Sequence, residues 1–410
     1  MSRQPAGGEG RLSKARIAVV SPFVDKRHGT ERCLAEQLER LSRDFEVHLF
    51  SSRVEDTDLS AIRWHRVPEI PGPHLVKYLF WFAANQVCRW RVRRSSGRPF
   101  DVVYSPGINC LDAGVIHIHI VFAEFFHYVR SSLRLTRNPL RSWPRLLHRR
   151  LYYQLIIALE RLLYTRSDVL LVGISQKTRQ DLLRFYGANG DVPIVYHGVD
   201  TCHFNPERRR ALRNAAREQL GLTPETFAVL LVGNDWKRKG LDCLWRAMRK
   251  LARPRLHLLI RGEDDPAPYE RDWNSPETLP VTVLPSREDV EFYYAAADLL
   301  VAPSLEDTFS LPPLEAMGSG LPVIVSRKAG VSEIVTHGQD ALVLEDPNDA
   351  DELARLIGQT CHDELLRRKL SEQAVLTARQ YTWDANAAQM KQIFDQALVR
   401  NTLQPPTGGH

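Results

Sequence analysis

In this 410-residue chain, the residue types able to do chemistry gather where apolar runs give way to polar loops. In Val301-Ala-Pro-Ser-Leu-Glu-Asp-Thr-Phe-Ser-Leu-Pro-Pro-Leu-Glu, seven residues separate Asp307 from Glu315. The loop between them enters a helix at Pro312-Pro313, where a missing N–H does little harm in the first turn. The backbone N–H groups of Thr308, Phe309, Ser310 and Leu311 can face a diphosphate there, and the Glu315 carboxylate can accept from ribose hydroxyls.

Three other junctions carry weaker signals. Gly233-Asn-Asp-Trp-Lys-Arg-Lys-Gly crowds Arg238, Lys239 and a further Lys between two glycines at a strand exit. Such a loop can hold anionic oxygens, although a solvated charge run has the same composition. In Val115-Ile-His-Ile-His-Ile, strand alternation puts His117 and His119 on one face, with Glu124 and His127 following and His119 nearer the carboxyl end. No Cys or carboxylate stands at ligand spacing, so no metal is expected. The fourth is Ser21 to Arg32, where Gly29 opens a helix whose N-terminus could meet a phosphate. With a single Gly the dinucleotide fingerprint is absent, and a turn glycine reads equally well.

The elements that must position these loops alternate. Arg16-Ile-Ala-Val-Val is a buried strand, Thr30–Leu41 a helix and Glu46-Val-His-Leu-Phe a second strand, which together make a βαβ unit. Strands are expected at Asp101–Tyr104, Val115–Ile120, Asp168–Ser175 and Pro193–His197. A Pro- and charge-rich stretch, Gly198–Arg213, reads as a linker. The rhythm then restarts with strands at Phe227–Gly233, Leu256–Gly262, Val281–Leu284, Leu299–Pro303 and Pro322–Ser326, with a helix at Leu241–Ala252. The pattern predicts two doubly wound α/β domains, with ligands at the carboxyl ends of the strands in a shared cleft.

Composition is that of a globular protein, 43% apolar and 25% charged. Residues 1–16 lack the apolar core of a signal peptide and read as a disordered leader. Six scattered cysteines without a C-x-x-C pair fit a reducing cytoplasm. Residues 1–195 hold 30 Lys/Arg against 18 Asp/Glu, whereas residues 196–410 hold 25 against 31. The first half therefore suits an anionic partner. Within residues 73–166, 15 basic residues face 4 acidic ones, interleaved with aromatics such as Leu79-Phe-Trp-Phe. Without a nucleic-acid-binding motif, the functional reading is peripheral contact with an anionic membrane, and the plain reading is a solvated basic face. The apolar run Leu75–Trp90 is too short to span a bilayer.

Pro-Ser, an acid, seven residues, Glu315, Ala-Met, Gly-Leu-Pro-Val-Ile, then Gly330 and Glu333 resembles the group-1 (family 4) retaining glycosyltransferases of GT-B fold. His197-Gly-Val-Asp with Phe204-Asn-Pro resembles their interdomain segment. Gly233 to Asp242 resembles their phosphate loop, particularly in members that build the lipopolysaccharide core. The resemblance implies two facing Rossmann-like domains with a central cleft, an acceptor domain at 17–197 and a nucleotide-sugar domain at 198–380. A helix at 381–400 would return to the first domain, ahead of a disordered tail at 401–410.

It further implies catalytic roles for His119, Asp307, Glu315 and Lys239, with the donor held by Gly29, Gly233, Arg238, Lys239, Thr308, Phe309, Ser310, Leu311 and Glu315. The implied donor is a nucleotide-diphosphate sugar (UDP- or GDP-sugar) and the implied acceptor a glycan or lipid-linked molecule, with no metal, no other cofactor and no nucleic acid expected. The work would take place at the cytoplasmic face of the membrane. Asp307 stands where the family has Glu, Asn234 where many members have Arg, and Ala329 where many have Gly. A phosphorylase or sugar-nucleotide epimerase would share the fold, and an inactive relative serving as a membrane scaffold would share the departures.

Overall fold

The computed structural model of the chain describes residues 14–130, 133, 142–187, 191–251, 255–273, 279–285 and 289–403. Over those residues the chain divides into two compact units. One gathers Met1–His117, Phe125–Leu171 and Met390–His410, the other Ile118–Glu124 and Val172–Gln389.

Each unit is built on a six-stranded sheet, and every paired register recorded is parallel. In the first, the strands lie in the order Ile62–Arg66, Glu46–Ser51, Arg16–Val20, Val102–Pro106, Val115–Ile118, Leu170–Gly173. In the second the order is Val281–Leu284, Leu256–Arg261, Phe227–Val232, Leu299–Ala302, Val323–Ser326, Leu342–Leu344. Numbered along the chain, both run third, second, first, fourth, fifth, sixth, the doubly wound Rossmann order, which reverses between the first and fourth strands. These are the two Rossmann-like α/β domains that the alternating pattern predicts.

The second sheet shows why its strands read as unbroken apolar runs. Ala228, Leu230, Leu300 and Val323 face one core, with the helix Leu311–Gly318. Val229, Leu231, Leu258 and Ile324 face the other, with the helices Leu241–Leu251 and Ala350–His362. A parallel sheet covered on both sides needs apolar residues at every position.

Several expectations need correction. The supposed linker Gly198–Arg213 contains the start of a helix, Pro206–Gln219, capped by the Asn205 side chain accepting from Arg208 N. Its arginines are structural: Arg209, Arg213 and Arg217 donate to the carbonyls of Tyr294, Ala295, Ala296 and Ala297. Pro193–His197 reduces to a single bridge between Gly173 and Ile194. The leader expected at 1–16 lies outside the described residues up to 13, and Arg16 already opens the first strand. The tail expected at 401–410 is helical to Leu403, the end of the helix Trp383–Leu403, and its remaining residues lie outside the described ones. That helix packs Phe394 against Phe45 and Tyr104 of the first unit.

Candidate functional site

In the second unit the loops leaving the first and fourth strands meet at the sheet's point of reversal, where such sheets bind ligands. The first loop turns on residues with positive φ: Gly233 (140°), Asp235 (60°) and Gly240 (82°). A Cβ at Gly240 would stand 2.0 Å from the carbonyl oxygen of Pro303, so only glycine lets the loops close to this distance. Leu305 N donates to Arg238 O at 2.8 Å and locks them further.

Across this junction Lys239 Nζ donates to Asp307 Oδ2 at 2.5 Å. The Lys239 stem lies over Gly233, whose missing Cβ makes room for it. Asp307 is buried. Burial pushes its carboxyl up, but the Lys239 ammonium, Arg238 and the Ser310 hydroxyl together hold it below the ordinary range. The neighbouring acid points elsewhere: Glu306 Oε1 lies 3.0 Å from Lys177 Nζ, which also bonds Asp181. Arg238 spans Asp235 Oδ2 at 3.1 Å and the Glu306 carbonyl at 3.2 Å.

Among the described residues, none of the amides of Thr308 to Leu311 donates to a backbone carbonyl. They precede the helix Leu311–Gly318, and Ser310 is held at φ 79°, a conformation costly for a residue with a Cβ. Glu315 sits one turn on and is buried, with its Oε2 accepting from Tyr294 OH at 2.6 Å. Two cations, a row of amides and a carboxylate can bind a diphosphate and the diol of a ribose.

Behind the loop, Gly330 leaves no space for a side chain, because a Cβ would lie 2.2 Å from Thr308 O. The Glu333 carboxylate accepts from the amides of Gln176 (2.6 Å) and Lys177 (2.8 Å) and from Tyr196 OH (3.2 Å). It thereby ties the segment after Val323–Ser326 to the start of the helix Gln176–Tyr186. Asn234 acts locally, its Oδ1 accepting from Glu263 N at 3.0 Å and holding the loop after Leu256–Arg261.

The histidines part company. The strand Val115 begins ends at Ile118, so the alternation expected to put His117 and His119 on one face stops short of His119. His117 Nδ1 lies 3.3 Å from Tyr104 OH and 3.5 Å from Gln37 Nε2 in the first unit. His119 belongs to the second unit, where its Nδ1 is 3.2 Å from His197 Nε2. The His197 ring stands edge-on to Phe309 at 5.1 Å. The second unit thus brings together His119, Gly233, Arg238, Lys239, Asp307 to Leu311 and Glu315. Gly29 belongs to the first unit, as the first residue of the helix Gly29–Leu41. Sequence reasoning missed Tyr294 and His197 as members of the site. His197 carried a signal in the His-Gly-Val-Asp segment, while Tyr294 carried none beyond an apolar run.

Comparison with known proteins gives the family and the fold. The family model described as Glycosyl transferases group 1 matches residues 226–363, and Glycosyltransferase Family 4 matches residues 27–203. A D-inositol 3-phosphate glycosyltransferase of Corynebacterium aurimucosum is 32% identical over 252 residues, covering 58% of this chain and 59% of that protein. The chain spans about three fifths of the length of the curated relatives it matches. Among solved structures, WaaG, a glycosyltransferase involved in lipopolysaccharide biosynthesis, aligns with a TM-score of 0.73 at 20% identity, over 92% of this chain and 99% of its own. Anabaena HepE in complex with UDP-glucose aligns with a TM-score of 0.65 at 17% identity, over 93% and 99%. At these identities the structural likeness shows the fold.

Proposed function

The chain belongs to the group 1 (family 4) glycosyltransferases, and we propose that it moves a sugar from a nucleotide-diphosphate donor to a glycan or lipid-linked acceptor. The observation that carries this reading is the junction of Lys239 and Arg238 with Asp307 and the amides of Thr308 to Leu311. Lys239 and Arg238 take up the charge that grows on the departing diphosphate, and the amides add fixed dipoles. Glu315 accepts from the ribose. Anomeric configuration is retained, a phosphate oxygen of the leaving group takes the acceptor proton, and no metal takes part. Residues 198–380 serve the donor and residues 17–197 the acceptor.

The product belongs to cell-surface polysaccharide or glycolipid synthesis, at the inner face of the cytoplasmic membrane. The names of the curated relatives support a second acceptor reading, an inositol phosphate. Membrane contact rests on the helix His74–Ser96, which exposes Val76, Leu79, Phe80, Val87 and Trp90 beside Lys77, Arg91, Arg93 and Arg94. Apolar side chains can enter the interface while cations meet anionic headgroups. No described helix is long and apolar enough to cross a membrane.

The test is a panel of radiolabelled UDP- and GDP-sugars with membranes or inositol phosphate as acceptor, run with and without EDTA. Transfer from one donor, unchanged by EDTA and with the anomeric configuration kept, is expected. No transfer, together with no thermal stabilisation by any nucleotide, overturns the reading in favour of an inactive scaffold. Vesicle flotation addresses the membrane: equal, negligible binding to anionic and neutral vesicles removes that part.

A further inference from the structure

Sugar transfer as described above does not account for a second buried histidine beside His119. His119 and His197 are 7% and 5% exposed, their ring centroids are 5.2 Å apart, and His119 Nδ1 lies 3.2 Å from His197 Nε2. Two imidazoles at this distance hold one proton between them, since a nitrogen that donates needs its partner bare. Whichever ring carries the proton at that bond, the assignment of both nitrogens of neutral His119 follows from it.

His197 is the better-anchored partner. Its ring lies between Phe309 at 5.1 Å and Trp383 at 6.0 Å. Its neighbours are fixed on both sides: Asn386 Nδ2 donates to Tyr196 O at 2.7 Å, and Val199 N donates to Tyr381 O at 2.9 Å. At Gly198 a Cβ would stand 2.3 Å from Trp383 N, so this segment lies hard against the one that carries Trp383. His119, by contrast, follows the end of a strand, in the short piece Ile118–Glu124.

We propose that His197 is a positioning residue: it holds His119 in a single tautomer and ring orientation, and so decides whether His119 presents a donor or an acceptor to the substrate. Contact with Phe309 couples the same ring to the diphosphate loop. The pairing stands on geometry alone, while the consequence for substrate rests on the transferase reading above.

The experiment uses the full chain labelled with 15N-histidine, with His119 assigned by the signals that vanish in His119→Phe. Long-range 1H–15N spectra of the wild type should show His119 with two well-separated nitrogen shifts, the signature of one tautomer. In His197→Leu the two shifts should move together as tautomers interconvert, and His197→Gln, whose amide can still donate or accept, should restore them. His197→Met replaces the Leu variant if that one does not fold. In transfer assays kcat should fall at least about tenfold in the apolar variant, with donor KM changed less than about twofold, and recover in the Gln variant. Unaltered His119 shifts in the apolar variant would overturn the pairing. Lost tautomer order with unchanged kcat would overturn the positioning role. A wild type that transfers no sugar counts against the transferase reading alone, because the spectra still decide the pairing.

Discussion

The two units share one strand order and use it differently. In the second, the loops at the point of reversal are braced by Lys239 on Asp307, by Leu305 N on Arg238 O and by the close approach of Gly240 to Pro303. In the first, the polar residues with long-range partners serve the sheet and its covering. Arg89 bonds Asp112 at 2.7 and 2.8 Å, and Arg16 donates to the carbonyl of Arg98 at 2.6 Å. The first unit also leaves apolar side chains of two helices, His74–Ser96 and Trp143–Tyr164, exposed among arginines, Leu147 and Leu151 among them. Topology supplies the place for a site, and the side chains that brace the loops decide what it can bind.

The largest expected effect separates the units by activity. Lys239→Ala should lower transfer by about 100- to 1000-fold, as loss of a group that stabilises the departing charge does. Arg94→Ala on the first unit's exposed helix should leave transfer to a soluble acceptor unchanged; steady-state kinetics on both variants check this. Glu315→Gln should raise donor KM while keeping an acceptor for Tyr294 OH. Glu315→Ala would also remove the buried hydrogen bond from Tyr294 OH, at about 1 kcal/mol, so the Gln variant is the cleaner test.

Stability sharpens the contrast at two glycines. Gly240→Ala adds a collision with Pro303 O to an unfavourable φ and should cost about 3 kcal/mol or more. At Gly97, which ends the helix His74–Ser96 with φ 64°, a Cβ would meet nothing within 4 Å. Gly97→Ala should therefore cost only about 1 kcal/mol, from backbone strain alone. Denaturant melts of both variants measure the difference, and equal losses would mean the loops of the second unit can part freely.

The effect that is nearly silent at neutral pH is a pH dependence that His65 gives the first unit. His65 lies over Phe50 and bonds His48 at 2.9 Å. Burial, then the charges of His48, Arg63 and Arg16, push its pKa down to about 4. The unfolded chain takes up this proton near pH ~6.5. Between that value and about 4 the unfolded state binds more protons than the folded one, so stability should fall as pH drops through this window. His65→Gln should flatten the fall in midpoint temperature, and an unchanged slope would assign it to other groups.

Much of the second unit was legible because its strands, buried on both faces, are unbroken apolar runs such as Phe227–Val232. Ile62–Arg66 was not, because an edge strand with Arg63 and Trp64 exposed carries no such run. Arg209 and Arg213 read as linker residues since their partners, the carbonyls of Tyr294, Ala295 and Ala297, lie some eighty positions onward. Of the candidate site, the residues around Asp307 and Lys239 stood out by type and spacing, as did His119.

The sequence by itself determined two parallel α/β domains and the family, because burial periodicity and short motifs are local properties that survive without coordinates. Only the tertiary structure decided the pairings: that Asp307 meets Lys239 while Glu306 turns to Lys177, that Tyr294 serves Glu315, and that the ring nitrogens of His119 and His197 lie within hydrogen-bonding distance. The partners in each pair lie far apart along the chain, and directional bonds between distant residues exist only once packing has set their distance and angle.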